Sequence, residues 1–107
     1  CIGTFDGVHL GHRAVIGAAV ARASASESPA ILVTWDRHPA GVLAPDRCPP
    51  PIAGLEENLR FVRAEGVALA LVLPFDAAMS RMPASAFLSE IVIGALRADR
   101  LVVGHDF

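Results

Sequence analysis

Residues 3–12 read GTFDGVHLGH, and this stretch constrains the fold more than any other. Its first residues end the short apolar run of residues 1–5, and its last residue opens the alanine-rich residues 12–23. The stretch therefore predicts a strand that turns into a helix. The first backbone amides of a helix have no acceptor within the helix and can face an anion. Glycines let the backbone of the turn approach a ligand closely. The stretch therefore predicts an anion-binding turn at a strand–helix junction.

Two histidines, His9 and His12, lie three residues apart across this turn. Both imidazoles could lean over the same phosphate and offer N–H donors where negative charge grows during phosphoryl-type transfer. The alternative is that the two rings merely cap the helix. No metal site is expected, because His105 has no ligand partner at a usable spacing.

Outward from the turn, three further apolar runs predict strands at residues 30–35, 67–73 and 100–103. The runs are continuous rather than alternating, which is typical of strands buried on both faces of a parallel sheet. Two more helices are predicted between them. One is amphipathic, begins near Leu55 and stops at Gly66, and the other begins near Pro83 and buries an apolar face that includes Leu88. This alternation predicts an α/β fold with a doubly wound parallel sheet.

Residues 36–54 do not fit this alternation. They contain five prolines in 19 residues and show no apolar periodicity, which predicts a long loop without regular structure. The loop leaves the carboxyl end of a predicted central strand, where open α/β sheets bind their ligands. We therefore expect the loop to be functional.

Length and composition exclude several classes of protein. The 107 residues predict one domain, and a 53% hydrophobic content predicts a packed core. The longest apolar run, residues 67–75, is far shorter than the roughly 20 residues of a membrane-spanning helix, so no membrane association is expected. A net charge of −2 argues against general nucleic-acid binding.

All nine basic residues are arginines, which excludes lysine-dependent phosphate loops and Schiff-base chemistry within this stretch. Cys1 and Cys48 are too few and too far apart for a disulfide scaffold, and two incidental thiols are typical of a reducing cytoplasm. The sequence leaves the oligomeric state open.

Three motifs resemble one family. GTFDGVHLGH at residues 3–12 resembles the HxGH signature of the nucleotidyltransferase superfamily, and in particular the FMN adenylyltransferase module of bacterial bifunctional riboflavin kinase/FAD synthetases. TWDRHP at residues 34–39 is similar to that family's TFDPHP, and VVGHDF at residues 102–107 is similar to its VVGxDF. Residues 52–57, IAGLEE, depart from the two threonines that commonly precede this leucine. That departure puts in doubt a hydroxyl contact from this loop to the flavin or to phosphate.

The resemblance implies a Rossmann-like nucleotidyltransferase fold and the reaction of ATP with FMN to give FAD and pyrophosphate, with Mg²⁺ bridging the triphosphate. Residues 1–107 would be an FMN adenylyltransferase domain truncated at both ends. Riboflavin kinase activity would belong to a C-terminal domain outside these residues.

The resemblance also implies roles for individual residues. His9 and His12 would be catalytic. Asp6 would either fix the geometry of the turn or contact the nucleotide. The nucleotide would meet residues of the first motif: Gly3, Thr4, Phe5, Asp6, Gly7, His9, Gly11 and His12. The flavin would lie near residues of the other two motifs: Asp36, His38, Pro39, Asp106 and Phe107. Trp35 and Phe107 are the aromatic side chains near the inferred crevice that could stack on a flat ring, although ordinary core packing at the end of a strand is the favoured interpretation of Trp35.

Two alternative functions remain. The first is another HxGH nucleotidyltransferase that acts on phosphopantetheine or glycerol phosphate, against which the TWDRHP stretch and the proline-rich loop argue. The second is a nucleotide- or flavin-binding module without turnover. It gains weight because the family's later serine/threonine motif, which completes the ATP site, is absent from the 107 residues.

Overall fold

The computed structural model describes residues 1–105, in which helices alternate with two strands. In chain order the elements are α1 (Leu10–Ala25), β1 (Ile31–Trp35), α2 (Ala40–Leu43), a 3₁₀ helix (Pro45–Arg47), α3 (Leu55–Ala64), β2 (Leu69–Leu73), α4 (Ala77–Arg81), α5 (Ala84–Phe87) and a π-helical segment (Leu88–Ala95). Within this described part of the chain, none of the helices is long and apolar enough to cross a membrane.

The sheet is parallel, as the continuous apolar runs predict. β1 pairs with β2 in a register that sets Ile31 opposite Leu69 and Trp35 opposite Leu73. On the other side of β1, Ile2 forms an isolated parallel bridge with Val33. The predicted first strand is therefore reduced to a short extended segment, and β1 lies in the middle. The carboxyl ends of all three extended segments meet at one edge.

Helices cover both faces of this sheet. Leu32 packs in a buried cluster with Ile16 of α1 and Val62 of α3. The next residue of β1, Val33, packs in a second cluster with Val92 of the π-helical segment. Successive side chains of a strand point to opposite faces, so α1 and α3 cover one face and the C-terminal helices cover the other. The chain therefore has an α/β architecture that agrees with a Rossmann-like fold.

The strand predicted at residues 100–103 is wrong. Residues 100–103 form no strand with any described residue. Leu101 and Val102 instead line a cavity of about 290 Å³ together with Cys1 and Ile2. An apolar run becomes a strand only where a neighbouring backbone satisfies its amides and carbonyls, and here a gap separates the run from the edge of the sheet.

The prediction of a long unstructured loop at residues 36–54 is also wrong, because that segment contains α2 and the 3₁₀ helix. Its prolines are the reason. Pro39 is the N-cap of α2, and Pro45 occupies the first turn of the 3₁₀ helix. Proline lacks an N–H, which costs nothing at a helix start, so a proline-rich stretch can carry short helices that have no apolar periodicity.

Two helix predictions are wrong in detail, and one helix was not predicted. The first helix begins at Leu10 rather than near residue 12, and α4 was not predicted. Leu88, predicted to be buried, is 37% exposed. It lies where the helix widens into π geometry, whose i→i+5 bonding shifts side chains away from the faces expected for 3.6 residues per turn. The end of α3 is as predicted, because Gly66 follows it with φ of +100°.

Candidate functional site

The turn that precedes α1 has a strained backbone. Phe5, Gly7 and Val8 have φ values of 52°, 76° and 45°. Such values suit glycine but are unusual for a bulky residue, and more so for a β-branched one. Phe5 and Val8 are nonetheless buried, at 3% and 4% exposure, in the cluster that contains Ile16. Burial of these two side chains holds the turn in a shape that the backbone alone would not prefer.

The two histidines of the turn cap α1 together. The Nδ1 atom of His9 accepts a hydrogen bond from the His12 N–H at 3.3 Å, and the Nδ1 atom of His12 accepts one from the His9 N–H at 3.3 Å. The rings stack with centroids 3.6 Å apart. Because each Nδ1 is an acceptor, each neutral ring carries its proton on Nε2. Capping and ligand binding are therefore compatible, since each ring keeps one N–H donor for a ligand.

Glycine at position 11 gives this histidine pair its space. A Cβ atom at Gly11 would lie 3.0 Å from Cε1 of the His9 ring. A side chain at this position would therefore press on the ring and disturb the stacked pair.

The surroundings of His12 keep its ring neutral. Burial lowers the pKa of His12, the nearby His9 lowers it further, and the carboxylate of Asp6 opposes both effects. The ring of Phe5 packs edge-on against His12 with centroids 5.3 Å apart. At neutral pH the site therefore presents His12 as a neutral N–H donor.

We expect the His12 ring to titrate below the usual histidine value of about 6.5 in the ligand-free protein. An unfolded chain would take up this proton at a higher pH than the folded one. The contribution of His12 should therefore lower the free energy of unfolding as the pH falls from about 6.5 through the lowered pKa. An NMR titration of the histidine ring carbons measures the midpoint. A midpoint at or above the usual value would contradict the burial argument.

Asp6 ties the turn to the far end of the proline-rich segment. Its Oδ2 atom accepts a hydrogen bond from the Ile52 N–H at 2.8 Å, and its Oδ1 atom accepts one from the Ala53 N–H at 3.0 Å. The Asn58 side chain donates a third bond, at 3.2 Å. Burial raises the pKa of Asp6, but these hydrogen bonds and the nearby His38 outweigh it and lower the pKa overall. With both carboxylate oxygens bonded to the protein, the geometry favours the turn-fixing role of Asp6.

Asn58 is the site residue that the sequence reasoning missed. Its Oδ1 atom accepts a hydrogen bond from the Gly7 N–H at 2.9 Å. The one signal in the sequence is its place inside the amphipathic segment that forms α3, where asparagine is a poor helix former. The sequence therefore marks Asn58 as unusual for a helix but does not show which groups it hydrogen-bonds.

The second predicted group lies at the same edge of the sheet. The Asp36 N–H donates to the Leu73 carbonyl at 2.9 Å, which extends the pairing of β1 with β2. The Phe75 N–H and the guanidinium of Arg37 bond the Asp36 carboxylate and lower its pKa. The Nδ1 atom of His38 accepts from the Ala40 N–H at 3.0 Å, which leaves Nε2 for a ligand.

The structure brings this second group close to the first motif. His38 lies close enough to Asp6 to lower its pKa, and the Thr34 hydroxyl donates to the Thr4 carbonyl at 3.1 Å. The Gly3 N–H donates a hydrogen bond to the Val33 carbonyl of β1 at 3.1 Å. Pro39 caps α2 beside His38. The sequence-predicted residues of the first two motifs therefore share one edge of the sheet.

Two further predictions have different outcomes. Trp35 is partly buried and packs against the second core cluster, with its ring centroid 5.2 Å from that of Phe75 and 5.7 Å from that of Phe87. Asp106 and Phe107 lie outside the described residues. Within residues 1–105, no group of three His, Cys, Asp or Glu side chains is placed to hold a metal ion.

Comparison with known proteins identifies the family. A family model described as FAD synthetase matches residues 1–107. Proteins named bifunctional riboflavin kinase/FMN adenylyltransferase from Escherichia coli (strain K12) and Bacillus subtilis (strain 168) are each 33% identical to this chain, and each match covers 99% of the chain and 34% of the relative. The chain thus spans about a third of the length of these curated relatives.

A solved structure shares the fold. The crystal structure described as a macrolide-efflux protein from Streptococcus pneumoniae superposes with a TM-score of 0.71 at 27% identity, covering 82% of this chain and 31% of the other. The resemblance drawn from the three motifs is confirmed by the family match over all 107 residues. This chain belongs to the FAD synthetase family.

Proposed function

We propose that this chain carries the site that transfers the adenylyl group of ATP to FMN and releases pyrophosphate. The observation that carries the proposal is the His9–His12 pair, which closes the N-terminus of α1 and leaves one Nε2–H donor on each ring. The family match and the names of the curated relatives support the choice of substrates.

In the proposed reaction a phosphate oxygen of FMN attacks the α-phosphorus of ATP in line. The bond from that phosphorus to the oxygen bridging to the β-phosphate breaks, and its electrons leave with pyrophosphate. The attacking phosphate is already an anion, so the site needs positioning and charge stabilisation rather than a general base. The two imidazole donors and the positive end of α1 would stabilise charge on the reacting phosphates.

Mg²⁺ enters this proposal as part of the ATP substrate. When bound, it neutralises charge on the triphosphate. The described residues do not form a site for it, because both Asp6 oxygens already accept hydrogen bonds from the protein and no three His, Cys, Asp or Glu side chains of residues 1–105 are grouped to hold a metal ion. We therefore propose that the described residues bind the phosphate groups and that Mg²⁺ is bound by the triphosphate of ATP.

The proposal places FMN against the segment that follows β1. Asp36, His38 and Pro39 would contact the flavin, and we propose the same for Asp106 and Phe107 on the strength of the third motif. Replacement of His38 by Ala should raise the KM for FMN more than the KM for ATP, because His38 follows the carboxyl end of β1 in the segment that we propose contacts FMN, and its Nε2 atom is left for a ligand. Steady-state kinetics with each substrate varied in turn measure both constants.

Asp46→Ala provides the matched control for His38→Ala. Asp46 is exposed in the 3₁₀ helix of the same segment, and its removal should leave both constants near normal. An equal change in both constants for His38→Ala, or no change, would remove His38 from the flavin site.

One assay separates the proposed reaction from its alternatives. The protein that carries this chain is incubated with Mg²⁺ and either ATP or CTP, and with FMN, phosphopantetheine or glycerol phosphate as the acceptor. We expect FAD and pyrophosphate only from ATP with FMN. Product from another acceptor would indicate a different nucleotidyltransferase, and tight FMN binding without pyrophosphate release would indicate a binding module.

The wider setting is also a proposal. The curated relatives carry a second activity in their name, riboflavin kinase, and match this chain over about a third of their length. We assign the adenylyltransferase activity to these residues because the FAD synthetase family model matches them throughout. We propose a cytoplasmic location, where the free thiols of Cys1 and Cys48 would stay reduced.

A further inference from the structure

We propose that Asn58 is a positioning residue that couples the acceptor side of the site to the phosphate turn. This inference rests on the proposed adenylyl transfer. The Nδ2 atom of Asn58 donates to Asp6 at 3.2 Å and to the Ala53 carbonyl at 3.4 Å, and its Oδ1 atom accepts from Gly7 at 2.9 Å. One side chain of α3 thus bonds two successive residues of the turn and the end of the proline-rich segment.

The amide is held by a rigid element. Asn58 lies in the first turn of α3, and its own N–H donates to the Gly54 carbonyl at 2.9 Å. Val62 follows four residues later on the same face of the helix and is 2% exposed in the core. Packing of Val62 therefore fixes the height and rotation of Asn58 relative to the sheet.

The turn that Asn58 holds is the strained one. Gly7 and Val8 have left-handed φ values of 76° and 45°, and His9 follows directly as the N-cap of α1. A turn with such a backbone persists only where its surroundings determine it, and the bond from Gly7 to Asn58 is one of those determinants. Loss of that bond should let the turn relax and move the histidine pair, which a purely stabilising side chain would not do.

The same amide also bonds Ala53, near the end of the segment at residues 36–54 against which we propose that FMN, the adenylyl acceptor, binds. Asp6 holds the backbone amides of Ile52 and Ala53, and Asn58 bonds both Asp6 and Ala53. Any movement of residues 52–53 that accompanies acceptor binding would therefore be transmitted to the turn. On this basis Asn58 affects kcat through the histidines and the KM for FMN through residues 52–53.

Asn58→Asp gives the sharpest test. The new carboxylate keeps the acceptor for the Gly7 N–H, loses the donor to the Ala53 carbonyl, and replaces the donor to Asp6 by a second negative charge. Two adjacent carboxylates share a proton at low pH, and the shared proton restores the hydrogen bond to Asp6. We expect kcat to fall on the order of 10- to 100-fold near pH 8 and to recover in part towards the unsubstituted protein as the pH falls and the pair takes up its proton.

Asn58→Ala removes all three side-chain hydrogen bonds at every pH, so its kcat should stay low throughout. Other titrating groups are close to Asp6, namely His12 and His38, so each profile is divided by that of the unsubstituted protein. Arg60→Ala is the control, because Arg60 is exposed on the same helix and should leave kcat and both KM values unchanged.

The outcomes are distinguishable. Absence of FAD from the unsubstituted protein would refute the proposed function, and the NMR signals of His9 and His12 would then still report whether Asn58→Asp displaces the pair reversibly with pH. If Asn58→Ala does not fold, Asn58→Asp at low pH carries the test. A folded Asn58→Asp protein with an unchanged pH profile and unchanged histidine signals would overturn the proposal, as would a loss of stability with normal kcat.

Discussion

Replacement of His12 by Ala is expected to lower the turnover number by 10²–10³, or roughly 3–4 kcal/mol of transition-state stabilisation, with the KM for FMN almost unchanged. The reason is the preorganised Nε2–H donor. The Nδ1 atom of His12 is already bonded to the His9 backbone at 3.3 Å, so the ring is held in place before the substrate arrives. Negative charge that grows on the α-phosphate during transfer meets this donor without reorganisation.

The test of His12 must separate catalysis from capping. Arg13→Ala is a suitable control, because Arg13 is the next residue of α1 and its ion pair with Glu65, at 3.2 Å, is a surface contact of little expected value. Circular dichroism and thermal unfolding report whether each variant folds. Unfolding of His12→Ala would leave capping as the role of the residue, and a folded variant with near-normal turnover would remove it from the catalytic site.

Because the two rings are stacked, the effects of replacing His9 and His12 together are not expected to be independent. His9 and His12 act on the same charge and brace each other, since each Nδ1 atom bonds the other residue's backbone. His9→Ala should resemble His12→Ala, and the double variant should lose less than the product of the two single losses. Independent, multiplicative losses would show that the two rings do not work as a unit.

Local patterns predicted the parts of the fold that depend on local physics. β1 and β2 were predicted because a strand with helices packed on both faces needs a continuous apolar run, and α3 because its apolar spacing matches one buried face. The run at residues 100–103 is also apolar and continuous but does not form a strand, since a strand also needs a neighbouring backbone to pair with. Four residues of sequence do not show whether such a neighbour exists.

The same distinction applies to the site. The glycines and histidines of residues 3–12 lie side by side in the sequence, so their chemistry could be predicted directly. The contacts that fix them could not, because Asp6 bonds Ile52 across 46 positions and Gly7 bonds Asn58 across 51. The reciprocal histidine cap also required the structure, since the spacing predicted phosphate binding and left capping only as the alternative.

Gly7→Ala is expected to destabilise the protein by about 1–3 kcal/mol and to lower turnover in whatever fraction still folds. Gly7 has φ of +76°, and a Cβ atom there would lie 2.8 Å from Cγ2 of Ile52. Relief of that contact would displace Ile52, whose N–H is bonded to Asp6 at 2.8 Å. The substitution therefore strains the turn and loosens the Asp6 anchor together.

Gly17→Ala makes the same chemical change with the opposite expected sign. Gly17 lies inside α1, and a Cβ atom there would meet nothing within 4 Å. Alanine in a helix interior is more favourable than glycine by about 0.5–1 kcal/mol, so this variant should unfold at a higher temperature with normal turnover. Thermal unfolding and steady-state kinetics of the two variants side by side measure the contrast. Equal stability changes at the two positions would show that the left-handed turn at Gly7 does not constrain its residue, and the geometry assigned to the phosphate site would have to be abandoned.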